Sequence, residues 1–548
     1  LLKILNWDKK CFSYSLVIAL LTLILYIFNI GGYDLGAPDE PRYGEVAREM
    51  QIDGNYVIPH LNNRIYYEKP PLFFAVTALF TALTGKTTVV TVRLPVIILA
   101  CLLIGILIYY FGTRLGKKTG VIAGLILATT LNYFWLAMRV NLDVPLIFCT
   151  TLALILLYGE LAGVKPSYKS FLAFFLMGVG TLFKSQAALI PVAVIIVYAL
   201  LSKKAKQLRN IRWLRGSLIY LAVIALWIVS SYVIGGYDYF KTAILDQVIG
   251  YSTGSQGHPN PFYYYLTTFP AEALPWSIFI IPAVYYFYKR KNELPDFVKF
   301  SLVWFVTIFI IFSIVGSKRG LYLLQLYPAF ALMIAWFFGK HLEKPNEPFW
   351  GLKIPVICFG LLLLIAGLLI SIKGFTLIQK GIDLTLVSKS GFITALNYSA
   401  WFLIGMAVLL VTSAFTKKKI FILVVTAAFS IGTLFIVKGI LLPTMNPIKS
   451  ERYLAEDLAK LRDKNQSVGL WGSVNNDSGI IFYNGIYFDK VLRDEQEVKA
   501  FLNQSNEVLM VTSDADKFFH TFKGEISANW QIKKYQIGTD RMLLIKNK

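Results

Sequence analysis

Apolar residues run along this chain in blocks of roughly 15 to 20, the length scale of a membrane-crossing helix, with short polar connections between them. Within the blocks neither strand-like alternation nor the one-sided stripe of a surface helix dominates. They are apolar all round, as helices bathed in lipid or packed among other helices are. The segments 12–30, 93–111, 119–137, 144–161, 170–184, 187–201, 217–234, 270–288, 300–315, 321–338, 354–372, 398–415 and 420–441 fit this pattern and predict about thirteen spans. The run 70–85 is short and opens on Pro70 and Pro71, which predicts a re-entrant or juxtamembrane helix instead. After Pro443 the pattern changes. A polar helix over 450–464 precedes apolar runs at 468–471, 479–483, 507–512 and 542–545, spaced by polar helices and turns, which is the signature of a small α/β domain. The expected organisation is a helical membrane domain, 1–442, with a first external loop at 31–92, and a soluble α/β domain, 443–548.

Composition agrees with the pattern: of 548 residues 56% are hydrophobic and 16% charged, against roughly 25% charged in soluble domains. The net charge of +22 comes from Lys and Arg clustered between apolar segments. Such clustering is the positive-inside signature of membrane topology and excludes nucleic acid as the expected partner. Placing the clusters around Arg114, Lys165, Lys203, Lys289, Lys340 and Lys417 in the cytoplasm puts the first loop, the turn at Asp143, the 235–266 loop, the Ser317 turn and the α/β domain outside. The first apolar segment is too long for a signal core and is expected to be retained. Cys11, Cys101, Cys149 and Cys358 lie in or beside apolar segments, so no disulfide framework is expected.

Candidate chemistry gathers on that outer face. Asp39, Glu40, Arg42 and Tyr43 follow the first span, and Pro41 near a helix start puts Asp39, Arg42 and Tyr43 on one face, with Asp39 as a possible cap. Glu68 and Lys69 are held by the two prolines where the chain meets the membrane interface. Lys69, Arg42, Lys184, Lys318 and Arg319 then form a basic pocket suited to a lipid phosphate. His258 lies in a loop returning to the membrane, and with Glu68 it offers two ligands for a divalent metal; a hydrogen-bonded interfacial histidine is the other reading. Asp514 and Asp516 follow a strand, where a helix cap is expected.

Taken in order, Asp39-Glu40-x-Arg42-Tyr43, Glu68-Lys69-Pro70-Pro71-Leu72, Asp143, Lys184, the His258 loop and Ser317-Lys318-Arg319-x-x-Tyr322 resemble the polyprenyl-phosphate-dependent GT-C glycosyltransferases. Among these the chain looks most like the aminoarabinose (lipid A) transferase family, with a more distant likeness to protein O-mannosyltransferases. The resemblance implies a monomeric enzyme of the bacterial inner membrane. It would transfer aminoarabinose or a related sugar from a polyprenyl phosphate to lipid A or another periplasmic acceptor. It further implies Asp39 and Asp143 as catalytic acids, Glu40, Arg42, Tyr43, Lys69, Lys184, Lys318, Arg319 and Tyr322 as substrate-binding, and Glu68 with His258 as a pair for zinc or another divalent metal. Pro259 to Tyr265 lacks an arginine that some relatives carry, which leaves Lys318 or Arg319 to contact phosphate. Transfer to protein hydroxyls is an alternative. Secondary transport is another, opposed by spans nearly free of charge away from their ends.

Overall fold

The computed structural model describes residues 8–163, 167–246, 259–343, 349–379, 389–463, 466–504, 506–523 and 530–547. Helix α1 (Lys9–Ile27) starts where the Asp8 carboxylate accepts from the Lys10 and Cys11 amides, the ordinary way to satisfy free N–H groups at a helix start. Helix α2 (Asp39–Asp53) follows and ends at Gly54 in the left-handed region. A two-stranded ribbon, β1 (His60–Leu61) and β2 (Arg64–Ile65), leads to α3 (Leu72–Thr84). At 13 residues α3 falls below spanning length, in keeping with its two leading prolines. It lies against α2 through Tyr43 with Phe73 and Phe74, and through Thr81 Oγ1 donating to Gln51.

The membrane domain continues with α4 (Val89–Leu115), α5 (Lys117–Thr129), α6 (Leu131–Ala137), α7 (Asp143–Leu161), α8 (Lys169–Phe183), α9 (Ile190–Leu201) and α10 (Trp213–Phe240). Among the described residues nine helices are long and apolar enough to cross a membrane, or ten with α5 and α6 counted as one span bent by 69°. By this measure ten of the thirteen expected segments qualify. α8 and the segment Gln186–Leu201 are apolar but short, and Tyr264 to Lys289 is broken into Tyr264–Glu272, a 3-10 turn and Ile280–Lys289. The break follows Pro270 and Pro275, which cannot supply the amide a continuous helix needs.

The last apolar helix runs on through Lys449, and the α/β layer opens at Arg452. Its strands are β3 (Ser467–Trp471), β4 (Lys490–Val491), β5 (Val508–Thr512), β6 (Gln531–Ile537) and β7 (Asp540–Lys546), in the order β4-β3-β5-β7-β6. β4, β3 and β5 are parallel; β7 and β6 are antiparallel. Alternation along β5 sends Leu509 and Val511 to one face, against Leu454 and Leu458, and Val508 and Met510 to the other, against Val498 and Phe501. The run 479–483 is a helix, Ser478–Asn484, rather than a strand. It sits on α2, where a Cβ on Gly44 would come within 2.9 Å of Phe482. Asp514 caps its helix, accepting from the Lys517 amide.

Candidate active site

Pro38 occupies the cap position of α2, so Asp39 is the first helical residue and its carboxylate makes no capping bond. It turns instead to Arg42, one turn on, at 2.5 Å, and to Arg319 at 3.5 Å. Arg42 spreads over the Tyr43 ring at 5.5 Å and reaches Glu68 at 3.6 Å. Glu68 accepts from the Tyr66 hydroxyl at 3.1 Å and from the Asn475 amide at 2.6 Å. Two loops far apart in sequence thus share a chain of alternating charge.

Asp143 opens α7, its amide and that of Val144 both donating to the side-chain oxygen Oδ1 of Asn141 at 3.0 Å. Its carboxylate accepts from the Lys184 ammonium at the end of α8. That ammonium also lies 5.0 Å from the centre of the Tyr322 ring. Glu68, Lys69, Asp143, Lys184 and Tyr322 line one cavity of about 280 Å³, together with Leu146, Trp227, Phe312 and Val315. Its lining therefore combines charged and apolar side chains.

Three expected site residues point elsewhere. Glu40 is buried and accepts from Arg93 at 3.1 Å, Arg139 at 3.3 Å and the amides of Gly36 and Val140 at 2.8 and 2.9 Å. Burial alone would raise its carboxyl, but Arg93 and Arg139 outweigh it and hold it down to about 2. Lys318, also buried, gives its ammonium to the carbonyls of Asn260 and Val315 at 2.9 and 2.6 Å, which ties its turn to the returning loop. The Tyr43 ring is packed among Phe73 and Phe74. His258 lies outside the described residues, although Pro259 bridges to Ser317 beside Arg319.

Among the described residues no group of three His, Cys, Asp or Glu side chains is placed to hold a metal ion. Each Glu68 oxygen accepts a hydrogen bond, Oε1 from the Asn475 amide and Oε2 from the Tyr66 hydroxyl. With His258 outside the described residues, the expected Glu68–His258 metal pair is carried below only as a proposal, and no step runs through it. Sequence reasoning passed over two residues. Arg93, a lone base inside an apolar run, carried a usable signal, since a buried charge needs a partner. Asn475 carried none, because its role depends on docking between the two domains.

The protein model for dolichyl-phosphate-mannose-protein mannosyltransferases matches residues 68–230. An uncharacterized protein of Aquifex aeolicus is 25% identical over 82% of this chain and 83% of its own length. Undecaprenyl phosphate-alpha-4-amino-4-deoxy-L-arabinose arabinosyl transferases of Proteus mirabilis and Pectobacterium atrosepticum are 27% and 28% identical, each over 59% of this chain. The matches span 58% and 59% of those two transferases. The crystal structure of ArnT from Cupriavidus metallidurans bound to undecaprenyl phosphate superposes with a TM-score of 0.78 over 98% of both chains, at 18% identity. The chain shares the fold of ArnT and is similar in sequence to aminoarabinose transferases. It shares with ArnT the arrangement of a multi-pass helical domain followed by an extramembrane C-terminal domain, and its apo form superposes equally well, with a TM-score of 0.79.

Proposed function

We propose that this protein is a glycosyltransferase of the inner membrane that moves aminoarabinose or a related sugar from a polyprenyl phosphate to lipid A or another periplasmic acceptor. The observation that carries the reading is one cavity lined both by Lys69 and Lys184 and by Leu146, Trp227, Phe312 and Val315. A lipid phosphate is a dianion or monoanion on a hydrocarbon tail, and this cavity offers charge-assisted donors and apolar cover together. The names of the transferases similar in sequence support the choice of carrier and sugar. In the same reading Lys169–Phe183, Gln186–Leu201 and the broken segment from Tyr264 to Lys289 also cross the membrane, which makes thirteen spans.

The chemistry follows from the charges. As the bond from the anomeric carbon to the carrier phosphate breaks, negative charge grows on the phosphate, where Lys69, Lys184 and Arg319 neutralise it. Positive charge grows on the sugar, where a carboxylate stabilises it. Asp39, gripped by Arg42 and Arg319 on separate oxygens, has a fixed orientation for that task, and Asp143 orients Lys184. A phosphate acceptor with a second pKa near 6 is already largely anionic at pH ~7 and attacks without a general base. Glu40, Tyr43 and Lys318 shape the site from behind in this scheme.

Transfer to protein hydroxyls is the second reading, supported by the match to protein mannosyltransferases over residues 68–230. Mass spectrometry of lipid A and of envelope proteins from cells with and without the gene separates the two. A pentose- or hexose-sized mass lost from lipid A in the deletion supports the first reading, and loss from protein the second. The proposed divalent cation between Glu68 and His258 has its own test: transfer unchanged in chelator removes it.

A further inference from the structure

Strand β3 ends at Trp471, and the chain then reverses through 472–477 before the helix Ser478–Asn484. The turn is closed on itself. Ser473 donates its amide to Asp477 Oδ2 at 3.1 Å, and its carbonyl accepts from the amides of Asn476 and Asp477 at 2.9 Å each. A Cβ on Gly472 would meet Ser513 Oγ at 2.4 Å and Asp477 Oδ2 at 2.6 Å, so the turn needs glycine there. Val474 packs against the membrane-domain core as well as the α/β core, which plants the turn in the crease between them. It also stands at the carboxyl edge of parallel strands, the edge on which α/β layers commonly carry functional loops.

What this rigid turn presents is the Asn475 amide, 2.6 Å from Glu68 Oε1. A carboxylate only accepts, so the amide NH2 faces it. Tyr66 and Arg42 address the other oxygen. Glu68 is therefore held from both domains, and the next residue is Lys69, stiffened from behind by Pro70 and Pro71.

We propose that Asn475 is a positioning residue for donor binding: by fixing Glu68 from the extramembrane domain it aims Lys69 at the carrier phosphate, so that docking of that domain and capture of the donor are one event. The inference rests on the proposed function for the identity of the donor. Its structural half does not, and the test separates them.

The probe is undecaprenyl phosphate itself, titrated into the purified full chain, alongside steady-state transfer from the sugar-linked donor. Asn475→Ala is expected to weaken carrier binding and raise KM for the donor about tenfold, with kcat within about twofold, as loss of a hydrogen bond to a charged group implies. Asn475→Asp, nearly isosteric, sets two carboxylates face to face and is expected to do more harm than the alanine. In a Glu68→Ala background Asn475→Ala should change nothing further, because the two act as one unit. Unchanged carrier binding in Asn475→Ala overturns the proposal. So does an effect that persists undiminished in the Glu68→Ala background, which marks a purely structural role. Should Asn475→Ala fail to fold, Asn475→Asp carries the test, and wild-type carrier binding by that variant overturns the proposal. A wild-type protein that binds the carrier with Asn475-dependent affinity yet transfers no sugar sinks the function and leaves the positioning role standing.

Discussion

The first turn of α2 places neighbouring carboxylates in opposite roles. The Asp39 carboxylate is 31% exposed and shared between two arginines. Glu40, one residue on, is sealed against Arg93, whose guanidinium also donates to the carbonyls of Ile30, Tyr33 and Asp34. Every donor of that buried pair is used, so removing one partner leaves the other uncompensated. Glu40→Gln should cost about 3 to 5 kcal/mol, seen as a lowered Tm in detergent. Its pH dependence has a definite sign. The folded carboxyl sits at about 2 against an ordinary 4.5; a depressed acid contributes stability above its unfolded value and loses it as pH falls toward the folded one. Wild type should therefore lose about 3 kcal/mol between pH ~4.5 and ~2 at this site, and Glu40→Gln should lack that limb. An acid-unfolding profile identical in both would refute the clasp. Lys69→Ala should instead leave Tm nearly unchanged and weaken donor binding by about 1.5 to 3 kcal/mol, the usual contribution of a charged hydrogen bond to phosphate. Wild-type affinity would remove Lys69 from the donor site.

Elements show how much a sequence discloses. Apolar blocks of spanning length are written into composition, so α1, α4 and α7 could be read directly. The length of α8 is not written in its block, whereas the break near Pro270 and Pro275 follows from two prolines that stand in the sequence. The run 479–483 reads equally as strand or helix over so few residues, and its contact with α2 decides for helix. At the site, the residue types and their order were legible because charge beside a membrane-spanning block is conspicuous. Which face each side chain took was not: Asp39 and Glu40 differ only in direction, and Lys318 and Arg319 divide in the same way, one into backbone carbonyls and one toward Asp39. The ribbon between α2 and α3 carries a further inter-domain contact. Asn62, at φ 58°, pairs with both the N–H and the C=O of Phe488 at 2.8 and 3.1 Å, mimicking a strand. Asn62→Ala strands both buried groups and should cost about 1 to 3 kcal/mol, measured as faster proteolysis at the domain junction. Unaltered protease resistance would show that the contact carries no weight.

At the scale of the molecule, the basic connections and the charged cavity must face opposite sides of the membrane. Single cysteines at Lys86 and Asn503, both exposed on the site side, should react with an impermeant thiol reagent from the periplasm, and cysteines at Lys206 and Lys418 should not. The native cysteines are free, three buried and Cys358 exposed, and are best replaced beforehand. Labelling of Lys206 from outside would invert the orientation and move the cavity to the cytoplasm. The layout also explains why a soluble layer is attached at all. It contacts the first loop through Tyr483, whose hydroxyl accepts from the Leu35 amide at 2.7 Å, and through Asn475, which holds Glu68.

Whether this cavity moves a sugar from a lipid phosphate is decided by one reconstitution. Purified protein is mixed with undecaprenyl phosphate carrying a labelled aminoarabinose and with lipid A, and the label is followed. Label should appear on lipid A, with one free carrier phosphate released per sugar moved, and a folded Asp39→Asn variant should be at least about a hundredfold slower, the scale expected when a transition-state charge loses its partner. Label that stays on the carrier with the wild-type protein, or an Asp39→Asn variant as fast as wild type, would contradict the proposed transfer.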